Sequence, residues 1–249
     1  MRTAGRSPTP LAFDAGPAAR RLGLLALATD LTVEVDAAAV TRGLDVAVHV
    51  TRLAFANPVT AASLRATAPE LGAAAGRIVP GERLDAVAFA CTSASAAIGD
   101  DAVRAAVTAE RPDTPCATPT SGLVAAAAAV GVRKLAVLAP YTEAVARDLA
   151  AYLERLGLEV TALGWLDVDD DRAIARLSPA TIEAAAVAAH DPAADALFCS
   201  CTALRARALV PSLERRLAKP VFTSNQVLLW HALRSAGVEH PLGLSTYLG

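Results

Sequence analysis

The chain is poor in lysine: Lys134 and Lys219 are the only two in 249 residues, alongside one methionine, two tryptophans and four cysteines. Each scarcity excludes something. A pyridoxal enzyme would have only those two lysines for its Schiff base, and both precede predicted strands, at the end opposite the expected site. Cys91, Cys116, Cys199 and Cys201 are too few for a disulfide scaffold, which points to a reducing cytoplasm. No run near 18 apolar residues exists to span a bilayer, and the first 20 residues lack the apolar segment of a secretory signal. They read as a loose arm, 1–20. With 23 basic against 25 acidic side chains, net charge −2, no basic surface is available for nucleic acid or anionic lipid. Neither G-x-G-x-x-G nor G-x-x-x-x-G-K-[ST] occurs, so nucleotide roles lack their usual anchors. His49, His190, His231 and His240 show no ligand spacing to Cys199-x-Cys201, so no metal site is expected, and no cofactor.

What is present is a 54% hydrophobic, alanine-rich soluble chain that excludes disorder. Short apolar runs at 22–28, 46–50, 86–90, 115–117, 135–139, 159–163, 196–199 and 220–222 alternate with helical patterns. Several are continuously apolar, as parallel strands covered on both faces are. Helix starts are legible at Asn57-Pro58 and Ser178-Pro179, each a cap followed by proline, and at Ser224 as a cap. Gly131 and Gly157 fall where helices end. The fold class is α/β.

The two halves repeat. LDAVAFACTSAS (84–95) and ADALFCSCTALR (194–205) both place Cys-Thr six positions after an aspartate, and RLGLLALATD (21–30) matches RKLAVLAPYT (133–142), at offsets of about 110 to 112. This predicts two similar lobes, each a four-stranded parallel sheet flanked by helices, related by a pseudo-twofold with the site in the cleft between them. The first lobe is 21–118 and the second 119–224. A last helix and tail, 225–249, can cross back to the first lobe.

Each Cys-Thr is expected at the carboxyl end of a strand, just before a helix. There the free N–H groups of the first turn would lower the thiol pKa and, with the hydroxyls of Thr92, Ser93 and Thr202, hold a carboxylate. Buried cysteine is more often plain core, which is how Cys116 and Cys199 read. Duplication in matched register sets Cys91 and Cys201 apart as a pair flanking a small acid.

The segments ACTSASAAIG (90–99), TPTSGLVAAAAAVGVRKLAVLAPY (118–141), SCTALRA (200–206), TSNQVLLWHALR (223–234) and GLLALATDLTVE (23–34) resemble the maleate cis-trans isomerase branch of the aspartate/glutamate racemase superfamily, which includes arylmalonate decarboxylase. Within that branch, ATDLTVE and SNQ–WHAL are similar to the ectoine-utilisation type. The resemblance implies the two-lobed fold and cofactor-independent chemistry. In the isomerase a first thiolate adds to a double bond, the intermediate rotates, and the second cysteine manages the proton. In the racemases one cysteine removes an α-proton and the other delivers one on the opposite face. Carried over, Cys91 and Cys201 take those roles, Thr92, Ser93, Thr202 and Ala203 hold carboxylate oxygens, and Tyr141 lines the pocket. Arylmalonate decarboxylase keeps only the second cysteine, so Cys91 argues against plain decarboxylation. Members of the superfamily often assemble, so a homo-oligomer is compatible, although no interface is legible.

One departure bears on substrate. The maleate isomerase has an Asn where Asp30 stands, and an ionised aspartate would repel a dianion by about 4 kcal/mol at 4 Å and an effective dielectric of 20. Either Asp30 is protonated, or it turns away, or the substrate carries an amine or neutral group at that end; the last fits an amino-acid derivative. The acidic run 167–171 receives no assignment. Arg205, one helical turn past Cys201, and His231 are weaker candidates than their structural roles, and 118–122 reads as a helix entry with hydroxyls that could face the cleft. The competing functions are a malonate-type decarboxylase, a two-lobed binding protein with unreactive thiols, and, weakest, a redox sensor.

Overall fold

The structure, a computed structural model, describes residues 16–239 together with 5, 7 and 9–14. The rest of the arm, and the tail expected at 240–249, lie outside the described residues. In the first lobe β1 (Arg20–Leu27), β2 (Val46–Leu53), β3 (Ala86–Ala90) and β4 (Cys116–Ala117) form a sheet in the order β2-β1-β3-β4. Its helices are α1 (Val33–Val40), α2 (Ala61–Arg65), α3 (Leu71–Gly76), α4 (Thr92–Ile98) and α5 (Asp100–Glu110), and α6 (Pro119–Val130) leads onward. The second sheet, β5 (Lys134–Ala139), β6 (Glu159–Trp165), β7 (Ala196–Cys199) and β8 (Val221–Thr223), runs β6-β5-β7-β8. Around it lie α7 (Glu143–Arg155), α8 (Asp171–Ile174), α9 (Pro179–Ala188), α10 (Val210–Leu217) and α11 (Ser224–Ser235). Every strand pair is parallel. The expected α/β class and doubled four-stranded architecture hold, with β2 and β6 running past their apolar runs to Leu53 and Trp165.

The repeat has a mechanical meaning at the strand starts. Asp85 accepts the N–H of Arg21, and Asp195 accepts those of Arg133 and Lys134, so the matched aspartates tie β1 and β5 to the strands beside them. The identical strand orders have a larger consequence. In each sheet the chain reverses its direction of travel between the first and third strands, and the crevice at their carboxyl ends is where open α/β sheets bind ligands. Asp30 follows β1 and Cys91 follows β3; Tyr141 follows β5 and Cys201 follows β7.

Two helices lock the lobes together. Both begin with a reciprocal capping box, Thr118 with Ser121 on α6 and Thr223 with Gln226 on α11. They cross so closely that a Cβ on Gly122 would stand 2.5 Å from the Val227 carbonyl oxygen. The other side of α11 lies on the first sheet, where Leu228, Leu229 and Ala232 pack with Leu24, Ala26, Ala88 and Ala117. A helix covered on so many sides is apolar around most of its circumference, as VLLWHAL is.

Two helix starts differ from expectation. Asn57-Pro58 does not open a helix: α2 starts at Ala61 under a Thr60 cap, and the Asn57 side-chain Oδ1 instead accepts the N–H of Asp171 at 3.0 Å. Ser224 is not the cap of α11 but its first residue, and its hydroxyl accepts from Thr92 at 2.7 Å, while Thr223 caps. Ser178 caps α9 as expected, accepting from Thr181.

Candidate active site

Cys91 is the N-cap of α4, and its sulfur takes the place usually held by a cap oxygen, accepting the Ala94 N–H at 3.4 Å. The Ser93 hydroxyl lies 3.6 Å from the same sulfur. Thr92 and Ser93 occupy the first turn, whose N–H groups have no acceptor within the helix. Fully buried, Thr92 spends its hydroxyl on Ser224 of α11.

Cys201 is reached differently. Its backbone sits at φ 90°, in the left-handed region that a residue with a Cβ rarely adopts. No helix follows: the chain turns, with the Leu204 N–H on the Cys201 carbonyl, and becomes helical only at Arg207. This corrects the expectation of a matched helix N-terminus. The cause is visible in the carbonyls that would start one. Asn225 of α11 donates to the Thr202 carbonyl at 2.8 Å, and the Thr32 hydroxyl donates to the Ala203 carbonyl at 2.7 Å, so both acceptors are taken by side chains beyond the segment. Asn225 also donates to Asp36, which pairs with Arg207 at 2.8 Å and anchors the far end of the turn. The Thr202 hydroxyl reaches the Ala90 carbonyl at 3.2 Å, at the end of β3.

The sulfurs nevertheless have parallel surroundings. Each has one backbone N–H, from Ala94 or Ala203, and one hydroxyl, from Ser93 or from the buried Tyr141. The phenol also lies 3.5 Å from the Ser200 hydroxyl. The expected lowering of the thiol pKa is not found. Burial pushes Cys91 up to about 12 and Cys201 upward as well, outweighing those donors, and neighbouring Asp171 raises both further. The thiols are close enough that charge on Cys91 disfavours charge on Cys201. The remaining cysteines stay with the core. Cys199 is inside β7 and Cys116 in β4, and burial raises each to about 12.

Asp30, 1% exposed, turns one carboxylate oxygen back to accept the N–H groups of Thr32 and Val33 at 2.7 and 2.9 Å. The other, Oδ2, is buried without a hydrogen-bond partner. Burial raises its pKa, opposed by those two N–H groups, the nearby Thr202 hydroxyl and Arg52. That arginine is already committed: it donates to the Leu27, Ala28 and Asp30 carbonyls and pairs with Glu34 at 2.9 Å. Asp171, in the acidic run left unassigned above, completes the group. It opens α8, accepts the Thr29 hydroxyl at 2.7 Å, and is raised to about 6 by burial and then by Asp30. The four aspartates of the run offer no pattern by which to choose among them; their meeting with the 57–59 loop singles out Asp171, since Val59 donates to the Asp169 carbonyl and Asp171 to the Asn57 side chain.

The weaker candidates lie elsewhere. Arg205 is exposed, not on a helix, and donates to the Leu177 carbonyl. His231 sits among Arg234, Arg104 and Asp100, and burial lowers its pKa. The hydroxyls of Thr118 and Thr120 both donate to Asp100 at 2.6 Å rather than serving a ligand. No group of three potential metal ligands occurs among the described residues, and no described helix is long and apolar enough to cross a membrane.

A family model described as arylmalonate decarboxylase matches residues 73–246. The arylmalonate decarboxylase of Bordetella bronchiseptica is 34% identical over 125 residues, 49% of this chain and 52% of that protein. The maleate isomerase of Alcaligenes faecalis is 23% identical over 165 residues, 63% of this chain and 65% of the relative. The chain thus matches between about half and two thirds of the length of these relatives. A Cys-to-Ala variant of the maleate isomerase from Pseudomonas putida S16, solved with maleate, superposes with a TM-score of 0.81 at 19% identity, over 92% of this chain and 99% of that one. A Nocardia farcinica maleate cis-trans isomerase variant with a covalent succinylcysteine intermediate gives 0.81 at 23%, over 88% and 93%. A liganded double variant of arylmalonate decarboxylase, Gly to Cys and Cys to Ser, gives 0.78 at 27%, over 88% and 93%. At such identities the two isomerases establish the likeness of fold.

Proposed function

The chain belongs to the arylmalonate decarboxylase family, and from that premise we propose that it is a cofactor-independent isomerase or racemase of a small carboxylic acid, working with Cys91 and Cys201 as opposed proton-transfer or nucleophilic groups. The observation that carries the reading is the placement of the two sulfurs at equivalent strand ends of the two lobes, each with one N–H and one hydroxyl donor. The acid's carboxylate lies against the N–H groups of Thr92, Ser93, Thr202 and Ala203, and Tyr141 closes the Cys201 side. Substrate class follows from Asp30: an amino-acid derivative, of the sort met in ectoine breakdown, suits that carboxylate better than maleate.

In the racemase form, the thiolate of one cysteine takes the proton from the carbon next to the carboxylate. The electron pair of the broken C–H bond moves into that carboxylate, where the N–H groups receive the growing charge. The thiol of the other cysteine delivers its own proton to the opposite face, so thiol and thiolate have exchanged sides after one turnover. A thiol held near 12 is a poor acid until its surroundings change, but the thiolate it leaves is a strong base, as removal of a carbon-bound proton requires.

Incorporation of solvent deuterium into substrate, followed in Cys91→Ser and Cys201→Ser, tests the proposal. Each variant is expected to lose at least about a hundredfold in turnover while melting near the parent temperature. Undiminished turnover in either sinks it. The family match and the 34% identity to a decarboxylase favour a second reading, loss of carbon dioxide from a malonate-type acid. Release of carbon dioxide that survives Cys91→Ser would select it.

A further inference from the structure

We propose that Asp30 and Asp171 together form a socket for an ammonium group, so that the substrate is an amine-bearing carboxylic acid and not a nitrogen-free diacid. This rests on the two-thiol reading and adds a second residue and a charge requirement to it.

Three observations converge. Asp30 keeps a buried oxygen, Oδ2, without a hydrogen-bond partner, since the nearby Thr202 hydroxyl donates to the Ala90 carbonyl, although its other oxygen takes two N–H groups. Such an atom in a ligand crevice is an unfilled acceptor. Asp171, 6% exposed, arrives from the opposite lobe close enough to feel the charge of Asp30, and it engages the Thr29 hydroxyl with one oxygen; among the described residues no side chain donates to the other. Finally, the cations nearest the pair are spent. Arg52 is held by Glu34 and three carbonyls, and Arg172, beside Asp171, lies half exposed near Asp170.

The charge of buried Asp30 adds to the cost of ionising buried Asp171, and a dianionic ligand would add to it further. An ammonium group reverses the sign: it brings one positive charge and three N–H donors to two carboxylates with acceptors to spare. A metal ion is a poorer fit, since the pair lacks a third ligand among the described residues. The lobes also differ here in a way that would orient the ligand. The repeat sets Thr142 against Asp30, so the second lobe has no acid at that position, and the neighbouring Tyr141 turns its phenol to Cys201. One half of the crevice is therefore acidic and the other phenolic, and an amino acid has one preferred way round.

The test uses the full chain in deuterium oxide, with loss of the α-proton signal followed by NMR. One set of compounds is the straight-chain α-amino acids of three to six carbons, both enantiomers; the other is maleate, succinate and methylmalonate. The parent is expected to exchange at least one amino acid and none of the diacids. Asp171→Asn and Asp30→Asn should each raise KM for that amino acid at least tenfold, with a smaller change in kcat, and Asp171→Glu should recover part of it. A diacid processed with higher kcat/KM than every amino acid, an unchanged KM in Asp171→Asn, or failure of every amino acid to exchange or bind would overturn the socket. Exchange that survives Cys91→Ser and Cys201→Ser while KM still rises in Asp171→Asn would instead overturn the two-thiol reading and leave the socket standing.

Discussion

The Thr29 hydroxyl donates to the Asp171 carboxylate at 2.7 Å, and the bond joins the end of β1 in one lobe to the start of α8 in the other. It is buried, it bridges the crevice beside both thiols, and it holds a carboxylate that would otherwise enter the site with no fixed direction. The Asp171 N–H, on the Asn57 side chain, and the Val59 N–H, on the Asp169 carbonyl, fasten the 57–59 loop of the first lobe to the same acidic run, so the acid is positioned by three bonds between lobes.

Asp171 should cost stability where it is charged. Its pKa of about 6 in the fold lies above the 3.8 of a free aspartate, so the folded chain binds the proton more tightly than the unfolded one. Protonation therefore adds stability, fully present below about 3.8 and lost as the pH rises through 6. The difference, near two pH units, is worth about 3 kcal/mol. Asp171→Asn is expected to melt higher than the parent at pH 8 and to converge with it near pH 4. Parallel melting curves at the two pH values would refute this.

The Cys91 and Cys201 thiols should be silent in the resting protein. Thiolate absorbance of the native chain is expected to appear only above about pH 11, because burial holds Cys91 near 12 and raises Cys201 too, whereas the unfolded chain titrates near 9. Alkylation by iodoacetamide at pH 8 should correspondingly be slower than for free cysteine. A native thiolate step below pH 8 would contradict the burial argument and support the helix-terminus expectation.

Asn225 should matter to Cys201 without touching substrate. Removing its amide in Asn225→Ala releases the Thr202 carbonyl and one oxygen of Asp36, both buried, at a cost of about 1–3 kcal/mol. The Cys201 turn, held at φ 90°, then loses one of its restraints. Turnover is expected to fall by more than tenfold, with the loss in kcat rather than KM. Unchanged kcat in a folded Asn225→Ala would show that the turn keeps its shape unaided.

The crossing of α6 and α11 admits no side chain at Gly122. In Gly122→Ala the new methyl would meet the Val227 backbone at 2.5 Å, so the helices must separate, and about 1–3 kcal/mol of stability should be lost. Gly131→Ala is the control: it has open space but φ 72°, so its penalty is one of backbone conformation alone. Chemical denaturation of both variants distinguishes crowding from strain.

Much of the architecture was legible because it depends on local pattern. Continuously apolar runs separated by helical stretches identify parallel strands, and a duplicated Asp-to-Cys-Thr spacing identifies two lobes and two equivalent strand ends. The Ser178-Pro179 cap and the packing roles of Cys116 and Cys199 follow from the same short-range chemistry. By contrast, Asn57 has the sequence signature of a cap yet spends its side chain on Asp171, 114 residues away. The helix expected after Cys201 is missing because Asn225 and Thr32, both distant in sequence, hold the carbonyls it would need.

From its order of residues alone, then, the chain determines which side chains stand at the ends of its strands, because strand and helix periodicity are set by neighbours. Tertiary structure alone decides what those side chains experience. The thiols are raised, not lowered, and one of the four aspartates of the acidic run becomes a charged neighbour of Asp30, because desolvation and Coulomb interaction depend on distance in space between two lobes.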